Sequence, residues 1–246
     1  MFDYRAPANL LADKNILITG AGDGIGRAAA LCFASYGATV ILLGRTEEKL
    51  ELVYDEIEAA GYPQAAIVPL NLESATETDF DSLAAMLEQE FGKLHGILHN
   101  ASLLGMRTPL EGYDPSIWQR VMQVNVNAAF MLTQALLSLT QAADHASIVF
   151  TSSSVGRKGK AYWGAYSVSK FATEGMMQIL ADELESVTNV RVNCINPGAT
   201  RTNMRANAYP AEDPSTVAAP ADIMPLYLYL FGDDSLNVKG ETLNAQ

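Results

Sequence analysis

The amino-acid sequence predicts an α/β fold: a doubly wound parallel sheet of about seven strands with helices on both faces. Three observations predict it. Short apolar runs alternate with amphipathic stretches of helical period along the chain. The apolar runs are continuous rather than alternating, as in strands covered by helices on both sides. A glycine cluster, Gly20, Gly24 and Gly26, stands between the first run and the first amphipathic stretch, where a phosphate-binding turn needs it. No repeat, low-complexity tract or linker divides the 246 residues, so 1–246 reads as a single domain.

Ile16–Thr19 is the first strand, followed by the glycine turn and a helix over about Ile25–Tyr36 that Gly37 ends. Thr39–Leu43 is the second strand. Thr46 caps the next helix, which carries Glu47 and Glu48 in its first turn and has Gly61 just beyond its end. Ala66–Pro69 is the third strand and Ser74–Gly92 the third helix. Gly96–His99 is a strand, and a long helix runs from about Pro115 to Ala142. Ser147–Ser152 is a strand, Tyr166–Ser186 lies mostly in a helix, and Val190–Ile195 is a strand. A short helix near Ala221–Phe231 and a strand near Glu241–Leu243 complete the order. Ligands of such a sheet bind at the C-terminal strand ends.

A chain with 49% apolar and 18% charged residues and a net charge of −12 repels nucleic acid and anionic membrane. Cys32 and Cys194 fit no zinc or redox spacing and read as reduced core thiols. No His/Cys/acid cluster has metal-ligand spacing, so no metal is implied. The N-terminal stretch is no signal peptide, and no run approaches the roughly 20 apolar residues of a membrane span. A cytoplasmic protein is expected.

In the glycine turn, Gly20 permits the tight bend, Gly24 admits a pyrophosphate and Gly26 lets helix pack on strand. Asp23 and Ile25 lie between them, at a helix N-terminus whose free N–H groups suit phosphate. The spacing G-x-x-x-G-x-G resembles the short-chain dehydrogenase/reductase family, a single-domain Rossmann branch, and the resemblance covers essentially the whole chain. Segments such as GRKGKAYWGAYSVSK and the ending LNAQ are most similar to a branch of bacterial oxidoreductases within it. The resemblance implies a nicotinamide dinucleotide. The second strand ends at Gly44-Arg45 without a carboxylate; an Arg there favours NADP(H), with NAD(H) as the alternative. Asp23 pulls the other way, since an acid repels a 2′-phosphate. The resemblance further implies cofactor contacts from Asn71 and Leu72, from Asn100 and Ala101, and from Pro197, Gly198, Thr200 and Thr202. His99 and Ser102 depart from the family's NNAG pattern, and His99 reads as a packed structural histidine.

Tyr166 and Lys170 stand four residues apart, on one face of a helix. At about 6 Å and an effective dielectric near 20, a lysine charge is worth roughly 2.8 kcal/mol, or two pKa units, towards the phenolate. That brings a tyrosine towards the pH range of a working acid/base. The resemblance assigns Ser153, thirteen residues before Tyr166, as donor to the substrate oxygen. It assigns Asn125 as the residue that kinks its helix and completes a proton relay through Lys170, with Tyr166 and Lys170 also contacting the cofactor. Asn127 is the rival to Asn125 by type.

The expected reaction is hydride transfer between nicotinamide and a small-molecule carbonyl or secondary alcohol, with no nucleic acid or membrane partner. Substrate choice is expected in two loops, 103–113 and 203–220, the second a mobile lid. Tyr162 and Trp163 read equally as pocket lining or as core. The helices around Val121–Leu139 and Phe171–Leu184 suggest a homodimer or homotetramer. A dinucleotide-binding regulator or scaffold with little turnover is the alternative.

Overall fold

In the computed structural model, which describes residues 1–246, the apolar runs pair as one sheet. The elements follow as β1 (Asn15–Thr19), α1 (Gly24–Ser35), β2 (Thr39–Gly44), α2 (Glu47–Ala59), β3 (Ala66–Pro69), α3 (Glu77–Phe91) and β4 (Gly96–His99). The second half continues α4 (Pro115–Met122), α5 (Ala128–Gln141), β5 (Ala146–Thr151), α6 (Gly164–Glu185), β6 (Val190–Asn196), α7 (Asn203–Ala208), α8 (Met224–Phe231) and β7 (Thr242–Asn244). Every pairing is parallel, in the order β3-β2-β1-β4-β5-β6-β7. The seven-stranded, doubly wound expectation is therefore correct.

The core lies on both faces. On one face Phe33 of α1 meets Phe231 of α8, ring centroids 4.8 Å apart, over Ile16, Ile18 and Val40. On the other, α3 and α5 cover Leu17, Ile41 and Ile97 with Phe80, Leu87 and Leu132. The strands run as continuous apolar segments because each face needs its own apolar side chains. The chain order reverses between β1 and β4, so their C-terminal ends splay into a crevice where loops from both halves meet.

Several boundaries differ from expectation for identifiable reasons. Residues 74–76 precede α3, because Thr76 and Asp79 form a capping box: the Thr76 N–H donates to Asp79 Oδ2 at 2.8 Å. Thr46 occupies the N-cap of α2 but makes no side-chain cap bond. The helix expected over 115–142 is interrupted by a π-helical turn, Gln123–Asn127, between α4 and α5. The 203–220 segment is not a bare lid. It carries α7 and a 3₁₀ turn at Pro214–Thr216, and is tied back where the Arg201 N–H donates to the Ala218 carbonyl at 2.8 Å.

Candidate active site

β1 delivers Thr19 to the crevice, and its buried hydroxyl accepts the Asn100 and Ala101 N–H groups at 2.9 and 3.0 Å. That pins the end of β4 against the glycine turn. Gly20 and Gly24 take φ of +69° and +54°, which side chains disfavour. A Cβ on Gly26 would sit 2.2 Å from the Gly20 carbonyl oxygen. Gly26 therefore serves the packing of α1 and is the one residue of the turn, among those expected at the cofactor, that does not line the cleft.

The cleft measures about 420 Å³, within the size range of small-molecule sites. Asp23, Gly24 and Ile25 line one end of it, beside Arg45. Asp23 caps α1, its Oδ1 accepting from the Gly24 N–H at 2.7 Å. Its Oδ2 takes the Lys49 ammonium at 2.9 Å and Asn203 Nδ2 at 3.1 Å, and the Lys49 contact holds its carboxyl below the usual range. The repulsion expected from Asp23 towards a 2′-phosphate is offset in the fold by its pairing with Lys49. Lys49 was missed; its signal was its place four residues after Arg45. Arg45 itself makes no ion-pair contact, and the nearby Glu73 carboxylate is bonded to Arg120 instead, so its guanidinium is open to an anion. A glycine cradle, a helix N-terminus without acids in its first turn and a free arginine together fit a phosphorylated dinucleotide. Asn71 and Leu72 line the same region, and Asn71 Oδ1 also accepts the Glu73 N–H at 3.2 Å.

Beyond β5 and at the start of α6 the wall becomes polar and buried. Ser153, Tyr166 and Lys170 all line the cleft. Of the serines beside β5, Ser152 is committed to the buried Glu174 carboxylate and Ser154 is exposed in a turn, which leaves the middle hydroxyl for the cleft. Lys170, buried, donates from Nζ to the Thr151 carbonyl at 2.7 Å and lies 5.3 Å from the Tyr166 ring centre. Burial pushes the Tyr166 phenol up to about 12, against a smaller downward pull from Ser153, and pushes Lys170 down to about 8. The expected lowering of Tyr166 by Lys170 is not what shapes the phenol here: loss of solvent displaces it upward, and the downward pull comes from Ser153.

Asn125 stands in the π-helical turn, behind the cleft rather than on it. Its Oδ1 accepts the Leu103 N–H at 2.7 Å; its Nδ2 donates to the Leu103 carbonyl and to Ser169 Oγ at 3.0 and 2.9 Å. It thereby joins the 103–113 loop to α6. Asn127 instead donates to Gln123 Oε1 at 3.2 Å on an exposed surface. His99 Nε2 meets Thr133 Oγ1 at 2.9 Å and stacks on Phe150 at 4.5 Å, and burial lowers its pKa to about 3. That is a structural histidine.

After β6, Pro197, Gly198, Thr200 and Thr202 complete the opposite wall. Gln246, missed as a site residue, clamps this loop: its Nε2 donates to the Pro197 and Ala199 carbonyls at 2.7 and 2.9 Å. A Cβ on Gly198 would lie 2.9 Å from that nitrogen. Trp163, left open between pocket and core, is buried and lines the cleft, whereas Tyr162 is 55% exposed.

A family model described as short chain dehydrogenase matches residues 14–213. The chain is 57% identical over 245 residues to the uncharacterized oxidoreductase YciK of Escherichia coli (strain K12), covering 99% of this chain and 96% of that protein. Two solved structures resemble it along their whole length. A short chain dehydrogenase from Salmonella enterica serovar Typhi CT18 shares 57% identity at a TM-score of 0.97, covering 99% of this chain and 100% of that one. A chain from Escherichia coli CFT073 complexed with NADPH shares 58% identity at a TM-score of 0.95, covering 98% and 100%.

Proposed function

The chain belongs to the short chain dehydrogenase family, and from that premise we propose an NADP(H)-dependent oxidoreductase that interconverts a carbonyl and a secondary alcohol, with Tyr166 as its acid/base. The observation that carries this reading is the meeting of Ser153, Tyr166 and Lys170 in the same cleft as Gly20, Gly24 and Arg45. When bound, the nicotinamide supplies or accepts the hydride. The chain's residues supply placement and the proton. A phenol held near pKa 12 is protonated at neutral pH, the form that gives a proton to an alkoxide oxygen. Ser153 is the second donor to that oxygen, stabilising negative charge as it develops. The Lys170 ammonium, bonded to the Thr151 carbonyl, favours the phenolate left behind. Asn125 holds Leu103 and Ser169 in place and so fixes the floor beneath the helix that carries the pair.

Free Arg45, with Lys49 neutralising Asp23, supports NADP(H) over NAD(H), in keeping with the NADPH complex of the Escherichia coli CFT073 relative. The unpaired Cys32 and Cys194 support a reducing, cytoplasmic location. Phe130, Val168, Phe171 and Ile179 are exposed on α5 and α6, which supports a homo-oligomer formed through those helices. No helix is long and apolar enough to cross a membrane.

The test follows nicotinamide absorbance with NADPH and NADH over a panel of aldehydes and ketones, with wild type and Tyr166→Phe. Turnover that falls about 10²–10⁴-fold in the variant, with NADPH binding kept, is expected. Tight NADPH binding with no turnover of any carbonyl would instead support a dinucleotide-dependent regulator.

A further inference from the structure

At the Tyr166 end of the cleft stands an apolar cluster, and an arginine without a carboxylate partner stacks on it. Leu104, Val155, Met204 and Ala208 pack with Trp163 around the Tyr166 ring, whose centre is 5.7 Å from that of Trp163. Arg107, from the loop before α4, lays its guanidinium over the same Trp163 ring at 4.5 Å and over Tyr209 at 5.2 Å. One of its nitrogens donates to the Ala208 carbonyl. A single indole therefore separates the guanidinium from the phenol.

The cations around Tyr209 are not equivalent. Arg205 stacks on Tyr209 at 3.8 Å but is neutralised by Glu212, whose Oε2 accepts from Nε at 2.6 Å. Lys160 donates to the Tyr209 hydroxyl at 3.4 Å, and neither it nor Arg107 has a carboxylate partner. Arg107 is thus the cation that stacks on the indole next to Tyr166 without a carboxylate of its own, whereas Lys160 stands further out at the Tyr209 hydroxyl. A guanidinium held against two aromatic rings and one carbonyl keeps further N–H donors in its planar fork, the geometry that captures a carboxylate or phosphate.

We propose that the substrate carries an anionic group, a carboxylate or phosphate, that seats on Arg107, which stands outside the cleft lining but against its wall residues Trp163 and Ala208. A short apolar body then spans the Trp163 face to the carbonyl at Tyr166. This rests on the oxidoreductase reading above and adds the substrate class: an oxo acid or hydroxy acid, or its phosphate counterpart, rather than a neutral ketone.

The test compares 4-carboxybenzaldehyde and 4-formylphenyl phosphate with benzaldehyde and methyl 4-formylbenzoate, each with NADPH. The expected result is a kcat/KM for the anionic aldehydes at least ~10-fold above the neutral ones, carried mainly by KM. The ratio should collapse towards one in Arg107→Met, recover in part in Arg107→Lys, and shrink with added salt. Which anionic aldehyde is preferred decides between carboxylate and phosphate. Equal kcat/KM for charged and neutral aldehydes, or a ratio unchanged in Arg107→Met, overturns the proposal. So does turnover of a carrier-protein thioester with no preference among the free anions. Binding of benzoate against benzamide with NADP⁺ present, followed by tryptophan fluorescence, needs no turnover. Benzoate should bind at least ~10-fold tighter in wild type only, and equal binding of the two overturns the subsite. If none of these aldehydes reacts yet benzoate binds through Arg107, the anion site stands, and the wider panel of aldehydes and ketones decides the oxidoreductase reading separately.

Discussion

Replacing Lys170 with Met should stabilise the unliganded fold while abolishing turnover. The ammonium is 4% exposed and its pKa is pushed from 10.5 to about 8 by loss of solvent. A shift of that size, at 1.36 kcal/mol per unit, penalises the folded state by about 3 kcal/mol at neutral pH. Methionine fills much the same volume without the charge. It also leaves the Thr151 carbonyl without the donor it has at 2.7 Å, which returns about 1 kcal/mol. The net gain is about 2 kcal/mol at pH 7, and each kcal/mol raises Tm by roughly 2–4 °C in a domain of this size. The pH dependence follows from the direction of the shift. The folded pKa lies below the unfolded one, so the penalty is complete below about pH 8. It fades between 8 and 10.5, where only the unfolded chain still binds the proton. Wild type should therefore gain on the variant across that window. Urea unfolding of both proteins without nucleotide, at neutral pH and at two pH values inside the window, measures the gap. A variant less stable than wild type at neutral pH, or a gap that stays constant as pH rises, would refute the reasoning.

Three further changes probe other parts of the site. Arg45→Asp should lower the NADPH-to-NADH ratio of kcat/KM by about 10–100-fold, since it removes a charge-assisted contact and adds a like charge; an unchanged ratio would show that the 2′-phosphate is held elsewhere. Gln246→Ala removes two donors from the Pro197–Ala199 carbonyls, and a KM for NADPH raised about 3–10-fold is expected, with Tm nearly kept. A variant whose Tm falls while its KM stays put would make Gln246 merely structural. Phe171→Asp places a charge on an exposed apolar patch of α6, and light scattering should report a smaller particle than wild type. A particle size unaffected by the charge would remove that helix from the interface.

Much of the fold was legible because its signals are local. Each strand but the three-residue β7 is a run of four to seven residues whose apolar side chains announce burial by themselves, and Gly37 and Gly61 mark helix ends through φ values of +95° and +70°. The Tyr166–Lys170 spacing is local too, one turn of helix. What the chain could not announce depended on partners distant in sequence. The break in the 115–142 helix leaves no glycine or proline to read; the family resemblance alone pointed to it, through the kink assigned to Asn125, and the π turn is held by Asn125 reaching Leu103 and Ser169. The capping box that moves the start of α3 was readable in Thr76 and Asp79, but the acids of residues 73–79 offered several starting points.

The sequence by itself determined the class of fold, the glycine turn at the end of the first strand, and the residue types along the cleft, because periodicity and spacing are properties of neighbours in the chain. Only the tertiary structure decided their electrical state. It paired Asp23 with Lys49, gave Arg107 two aromatic faces and no carboxylate, and buried Tyr166 until its phenol rose to about 12 instead of falling. A charge is set by its distance to others and by the solvent it loses, and both exist only once residues far apart in sequence have been brought together.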